Sequence, residues 1–141
     1  MAETLKITSK GQGTPLVLIH GWGLNAAVWQ PLADKLSPFF KVITVDLPGY
    51  GLNIEYTISP YTLNNMGKKI VQAIDRPAVY LGWSLGGLVA TEIATNYAEQ
   101  TLALITLASS PCFIELLNDD HQVGWPGINP ALLNDFHQQL T

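Results

Sequence analysis

The stretch Pro77-Ala78-Val79-Tyr80-Leu81-Gly82-Trp83-Ser84-Leu85-Gly86 decides the fold that this sequence predicts. Its first seven residues form an apolar run of the kind found in a strand buried on both faces of a parallel sheet. Residues 85–97 that follow place their apolar side chains at helical spacing. We therefore predict a strand, a sharp turn at Ser84 and then a helix.

Two glycines flank Ser84 at the spacing of a nucleophile elbow, Gly-x-Ser-x-Gly. In such a turn the serine has a strained backbone that lifts its hydroxyl clear of the sheet. Side chains at positions 82 and 86 would collide with the neighbouring strand and helix, so both positions need glycine. The pattern predicts that Ser84 is a catalytic nucleophile. The alternative is a glycine-rich packing turn in which the serine is incidental.

Outward from this turn, apolar runs alternate with amphipathic stretches. Further strands are predicted at residues 5–8, 16–20, 41–46 and 102–108, and further helices at 26–36 and 62–74, the first capped by Asn25. Apart from residues 5–8, each strand is predicted to be buried. This alternation predicts an α/β fold with a mostly parallel sheet and helices on both faces.

The pattern changes near the carboxyl end of the chain. Residues 113–141 contain no further run typical of a buried strand. They contain a polar stretch, Asn118-Asp119-Asp120, a turn at Trp125-Pro126-Gly127 and a predicted short helix at residues 130–140. We therefore divide the chain into a core segment, 1–112, and a second segment, 113–141.

Composition narrows the classes of function. The chain has 141 residues and a net charge of −4, without a basic run, which argues against a nucleic-acid partner. No apolar stretch is long enough for a membrane span, and the amino terminus lacks a signal-peptide pattern. The one cysteine, Cys112, excludes an intrachain disulfide, fits a reducing compartment and is expected to line the core or a pocket. We expect a cytoplasmic protein.

A second candidate element is His20-Gly21-Trp22-Gly23, directly after a predicted strand. An oxyanion hole needs two backbone N–H groups directed at the developing negative charge. We predict that Leu85, after the nucleophile, and Trp22 donate them, with Gly21 and Gly23 allowing close approach. We expect His20 to hold this loop, the alternative being a general base.

Neither a cofactor nor a metal is predicted. Gly11-Gln12-Gly13 lacks the third glycine and the helix of a dinucleotide-binding loop. Asp46 ends a predicted strand, and we expect it to fix the following loop by hydrogen bonds. His121 and His137, in the polar second segment, are the candidates within the chain for a catalytic base, but we expect both to be solvated surface histidines.

These motifs together resemble the α/β-hydrolase superfamily. More narrowly, the sequence resembles the pimeloyl-acyl-carrier-protein methyl ester carboxylesterases of biotin synthesis over essentially the whole chain. The narrower resemblance rests on Gly21-Trp22-Gly23-Leu24-Asn25, Leu81-Gly82-Trp83-Ser84-Leu85-Gly86-Gly87-Leu88-Val89-Ala90, Ala108-Ser109-Ser110-Pro111-Cys112-Phe113 and Trp125-Pro126-Gly127-Ile128.

The resemblance implies an α/β-hydrolase fold and a serine esterase. Ser84 would be acylated with loss of methanol, Trp22 and Leu85 would line the substrate site, and Trp83 would pack beside the acyl group. In this fold the acid and the histidine follow the nucleophile in the chain. We therefore expect them beyond Thr141, with the C-terminal strands and most of the lid absent and residues 113–141 starting that lid.

The expected partner is an acyl carrier protein that carries pimeloyl methyl ester. Basic lid residues hold this acidic carrier in the family, but residues 113–141 contain neither lysine nor arginine. The same superfamily includes other esterases, lactonases and peroxidases, which remain alternatives. A third alternative is a catalytically incomplete chain that acts only as a binding module.

Overall fold

The computed structural model describes residues 3–111, 113, 117–118 and 121–122. The chain divides into two compact units, Met1–Ser109 and Ser110–Thr141. The first unit holds five strands, three α-helices and three 3₁₀ turns. The strands are β1 (Ile7–Lys10), β2 (Pro15–Ile19), β3 (Lys41–Val45), β4 (Ala78–Trp83) and β5 (Thr101–Leu107). The helices are α1 (Gln30–Leu36), α2 (Leu63–Ile74) and α3 (Leu85–Asn96), and the 3₁₀ turns are Ala26–Trp29, Gly51–Asn53 and Ala98–Gln100.

The five strands form one sheet in the order β1-β3-β2-β4-β5. Only β1 runs antiparallel to its neighbour, and the other three pairings are parallel. Alternate residues of β2 face opposite layers: Leu16 and Leu18 pack with the residues of α1, whereas Val17 and Ile19 pack with those of α2 and α3. The predicted α/β architecture, mostly parallel with helices on both faces, is confirmed.

The helix predicted at residues 26–36 is split in two. Ala26–Trp29 forms a 3₁₀ turn, capped as predicted by the Asn25 side chain, which accepts the Ala27 N–H at 2.9 Å. The α-helical part begins only at Gln30, with Pro31 in its first turn. Proline has no N–H to donate and is favoured at a helix start, so it divides the segment there.

The first strand lies two residues later than predicted, at Ile7–Lys10 instead of 5–8. Its register is set by pairing with β3, from Ile7 opposite Val45 to Lys10 opposite Val42. The pairing extends the strand to Ser9 and Lys10, which the local alternation of apolar and polar side chains did not predict as strand residues.

The prediction that residues 102–108 form a buried strand is right about the strand and wrong about its burial. β5 is the last strand in the sheet order, and four of its large apolar side chains are exposed: Leu102 by 57%, Leu104 by 40%, Ile105 by 42% and Leu107 by 42%. Among the described residues β5 pairs on one side only, with β4. The apolar residues of this segment correctly predicted a strand, but they did not predict that the strand lies at the edge of the sheet.

In the second unit, two strands of two residues each, β6 (Leu117–Asn118) and β7 (His121–Gln122), pair antiparallel. The sequence did not predict this short ladder. The predicted turn at 125–127 and helix at 130–140 lie outside the described residues, as do Cys112 and His137.

Candidate active site

Ser84 occupies the turn between β4 and α3, with φ 53° and ψ −117°. This combination lies outside the regions that non-glycine residues normally populate and costs about 1–3 kcal/mol. Backbone bonds hold it: the Ser84 N–H donates to the Leu107 carbonyl at 3.0 Å, and the Ser84 carbonyl accepts the Gly87 N–H at 2.9 Å. The sequence prediction of a sharp strand-to-helix turn is confirmed.

The glycines around Ser84 are required for steric reasons. A Cβ at Gly82 would overlap the backbone of Gly86, and one at Gly86 would overlap the carbonyls of Ile19 and His20. Since the overlapping atoms are all backbone, no side-chain rotation could relieve the clash. Residues 82–87, called the Ser84 turn below, therefore let the first turn of α3 pack directly on the end of β2.

The loop after β2, residues 20–25, lies beside the Ser84 side chain. A Cβ placed on Gly21 would lie 3.4 Å from the Ser84 Cβ. Gly23 adopts a φ of 74°, which favours glycine. Trp22, between them, is 42% exposed. Leu85 is the first residue of α3, and the first four N–H groups of a helix have no partner within it.

His20 is fully buried, and hydrogen bonds engage both nitrogens of its ring. Nε2 accepts the Leu47 N–H at 3.0 Å, so the proton of the neutral ring is on Nδ1, which donates to the Gly21 carbonyl at 2.8 Å. Burial lowers the pKa of His20 below its ordinary value of 6.5, against smaller raising effects of the Gly21 bond and of the charge of Asp46. The geometry supports a loop-holding role and leaves neither nitrogen for a reacting proton.

The bond from His20 also orients a peptide group. The Gly21 carbonyl accepts from the His20 ring and, at 3.3 Å, from the Leu24 N–H. In a trans peptide the carbonyl and the next N–H point in opposite directions. The N–H of Trp22 is therefore turned away from His20.

Asp46 joins the loop after β2 to the loop after β3. Its carboxylate accepts the Ala26 N–H at 2.6 Å and the Leu52 N–H at 2.9 Å. Gly51, at φ 48°, lies so close to that carboxylate that a Cβ there would overlap it. The sequence prediction that Asp46 fixes the following loop is confirmed, and its bond to Ala26 extends this role to the first loop.

Sequence reasoning missed the role of Asn53. Its side chain is buried and donates to the carbonyls of Asp46 at 2.7 Å and Lys6 at 3.0 Å, while its oxygen accepts the Lys6 N–H at 2.8 Å. No sequence pattern predicts that a single asparagine joins the amino-terminal segment to the end of β3 through hydrogen bonds.

Trp83 is half-buried and packs edge-to-face against Trp29, with ring centroids 6.3 Å apart. It joins the apolar cluster on the α1 side of the sheet.

No group of three metal-ligating side chains occurs within the described ranges. In the same part of the chain, no helix has the length and apolar character needed to cross a membrane.

Comparison with known proteins places these features in a family. Residues 16–140 match the family model described as "Alpha/beta hydrolase family". The chain is 47% identical over 139 residues to the pimeloyl-[acyl-carrier protein] methyl ester esterase of Pectobacterium carotovorum, covering 98% of this chain and 51% of the relative. It is also 47% identical over 126 residues to the protein of that name from Yersinia enterocolitica, covering 89% and 46%. The chain thus spans about half the length of these curated relatives.

Solved structures agree on the fold. A thermophilic esterase from Thermogutta terrifontis aligns with a TM-score of 0.67 and 28% identity, over 75% of this chain and 40% of the esterase. An epoxide hydrolase from Bacillus megaterium, at 24% identity, shares the fold with a TM-score of 0.68 over 74% of this chain and 39% of its own. With a family match over most of its length, the chain belongs to the alpha/beta hydrolase family.

Proposed function

We propose that this chain carries the nucleophile and the oxyanion-binding groups of a serine carboxylesterase that hydrolyses the methyl ester of pimeloyl-acyl-carrier protein in biotin synthesis. The observation that carries the proposal is the strained backbone of Ser84, at φ 53° and ψ −117°, at the start of α3. Strain of this kind in a non-glycine residue is characteristic of functional sites. The names of the curated relatives supply the ester.

In the proposed reaction, the Ser84 hydroxyl attacks the ester carbonyl, methanol leaves, and water then hydrolyses the acyl-serine. The backbone N–H groups of Leu85 and Trp22 stabilise the oxyanion, and the N-terminal end of α3 adds a partial positive charge. His20 and Gly21 support this arrangement because their hydrogen bond fixes the peptide that carries the Trp22 N–H. Gly23, with its positive φ, allows the loop to turn after Trp22. Trp83 packs beside the acyl group.

A serine needs a general base and an orienting acid. Hydrogen bonds engage both ring nitrogens of His20, and both carboxylate oxygens of Asp46 accept backbone N–H groups. We propose that the acid and base come from outside the described residues, beyond Thr141. In the same proposal residues 1–112 are the first part of the hydrolase core, residues 113–141 begin its lid, and the protein acts in the cytoplasm on an acyl-carrier-protein substrate.

A hybrid enzyme tests the proposal. The chain is joined to the second half of the Pectobacterium carotovorum relative, and hydrolysis of pimeloyl-acyl-carrier-protein methyl ester is measured. We expect turnover that Ser84→Ala lowers by about 10⁴-fold or more, as in other serine hydrolases. Ser9→Ala, at an exposed serine of β1, is the matched control and should leave turnover unchanged.

Three results would contradict parts of the proposal. If the folded Ser84→Ala hybrid kept its rate, Ser84 would not be the nucleophile. If the unmodified chain turned over ester in a manner that depends on Ser84, a base would lie within its own 141 residues. Turnover of lactones in preference to the carrier-bound ester would favour another hydrolase of the superfamily.

A further inference from the structure

The carbonyl of Ser84 has a partner outside its own helix. Ser109 Oγ, two residues after β5, donates to the Ser84 carbonyl at 2.8 Å and is separated from it by 25 positions in the chain. The Ser84 N–H donates to the carbonyl of Leu107, the last residue of β5. The end of β5 and the residues after it therefore bond to both backbone polar groups of Ser84.

The backbone just before Ser109 is itself in an unusual conformation. Ala108 has a φ of 44°, which places a non-glycine residue in the left-handed region. Asp75 and Ser84 are the other non-glycine residues with positive φ within the described part of the chain. Ser84 is thus one end of this contact, and Ala108 directly precedes the other end. Strained residues persist only where surrounding structure holds them.

Gly87 explains why Ser109 can approach so closely. It follows the Gly-x-Ser-x-Gly pattern, which does not require a glycine at this position. A Cβ at Gly87 would overlap the Cβ and Oγ of Ser109. The absence of a side chain at position 87 therefore makes room for the hydroxyl that reaches Ser84.

We propose that Ser109, admitted by Gly87, is a positioning residue that holds the strained backbone of Ser84 in its reactive conformation. The catalytic part of this inference rests on the proposed function. The positioning itself does not, because it concerns the backbone of Ser84 with or without substrate. Ser109 acts through the backbone carbonyl of Ser84.

Amide hydrogen exchange, measured on the 141-residue chain by itself and not on the hybrid enzyme, tests whether Ser109 positions the Ser84 backbone. Ser109→Ala removes the hydroxyl, and we expect exchange at the N–H groups of Ser84 and Gly87 to accelerate by about 5- to 10-fold, as for the loss of one hydrogen bond. Amides within α2 should exchange at the wild-type rate. Unchanged exchange at Ser84 and Gly87 in Ser109→Ala would overturn the proposal.

Two further variants sharpen the test. Thr91→Val is the matched control because Thr91 Oγ1 also donates to a backbone carbonyl of α3, that of Gly87 at 2.8 Å, but not to Ser84. It should leave exchange at Ser84 unchanged. Gly87→Ala should reproduce the acceleration, although alanine is by propensity the better helix former. Slower exchange at Ser84 in Gly87→Ala would contradict the role given to the glycine.

The hybrid enzyme adds a kinetic measurement. Ser109→Ala should lower kcat by about 5- to 10-fold and leave KM unchanged, since the lost interaction positions the nucleophile and not the substrate. An equal kcat in Ser109→Ala and Thr91→Val would contradict the positioning role. If the hybrid showed no turnover at all, the proposed function would fail, while hydrogen exchange would still decide the role of Ser109.

Discussion

The two regions that meet at the candidate site are stabilised in different ways. The loops after β2 and β3 are held by side chains: the carboxylate of Asp46, the ring of His20 and the amide of Asn53 each bond to backbone groups. The Ser84 turn, apart from the Ser109 bond, depends on the absence of side chains at Gly82 and Gly86, because backbone fills the space where their Cβ atoms would lie. Substitutions in the first region should therefore cost hydrogen bonds, and those in the second should cause backbone clashes.

The largest effect is expected from Gly86→Ala. Its Cβ would overlap backbone carbonyls of Ile19 and His20, so the free energy of unfolding should fall by about 4 kcal/mol. Gly23→Ala is the control in the other region, since Gly23 has a positive φ but open space around it, and it should cost about 1 kcal/mol. Urea denaturation measures both. Similar losses in the two variants would refute the steric distinction.

Asp46→Ala tests the side-chain bonds of the first region. It leaves the N–H groups of Ala26 and Leu52 without their acceptor, and we expect a loss of about 2–3 kcal/mol in the free energy of unfolding. Asp46→Asn keeps one oxygen acceptor and should lose about half as much. Asp34→Ala, at an exposed carboxylate that pairs with Lys10, is the control and should have a far smaller effect. Equal losses for Asp46→Ala and Asp34→Ala would contradict the role of Asp46.

His20 should make stability depend on pH. Because burial lowers its pKa in the folded state, the unfolded chain takes up a proton first as the pH falls below about 6.5. As the pH falls further, from the unfolded-state pKa of His20 to its lower folded-state pKa, the free energy of unfolding should decrease. The total decrease is about 1.4 kcal/mol for each pH unit that separates these two pKa values. His20→Gln keeps an acceptor for the Leu47 N–H and does not titrate.

The difference between wild type and His20→Gln, measured by urea denaturation from pH 7.5 to 5, isolates this group. The other two histidines are present in both proteins, so their contributions cancel. Parallel pH profiles for the two proteins would show that His20 is not the group responsible.

The smallest effect on folding is expected at Trp22. Its side chain is 42% exposed, so Trp22→Ala should change the free energy of unfolding by less than about 1 kcal/mol. If its ring lines the substrate site, as the family resemblance implies, the same variant of the hybrid enzyme should raise KM about tenfold, the equivalent of about 1.4 kcal/mol of lost contact. An unchanged KM would remove Trp22 from the substrate site.

Much of the fold could be predicted because local signals were consistent. The helix predicted at 62–74 and the strand predicted to end at Trp83 appear where the periodicity places them, as Leu63–Ile74 and Ala78–Trp83. The helix predicted at 26–36 is split locally by Pro31, whereas the errors at β1 and β5 originate in tertiary pairing. β1 is displaced by its ladder with β3, and β5 is exposed because the sheet order places it at an edge. Ser109 and Asn53 were missed because single polar residues carry no periodic signal.

The sequence by itself determined the elements, the α/β class and the turn at Ser84, because spacing of apolar residues and the need for glycine at 82 and 86 are local properties. Only the tertiary structure decided which distant groups meet at that turn. Gly21 beside the Ser84 side chain, Asp46 between two loops and Ser109 on the Ser84 carbonyl all join segments separated along the chain. Such contacts depend on strand order and register, which local sequence patterns do not encode.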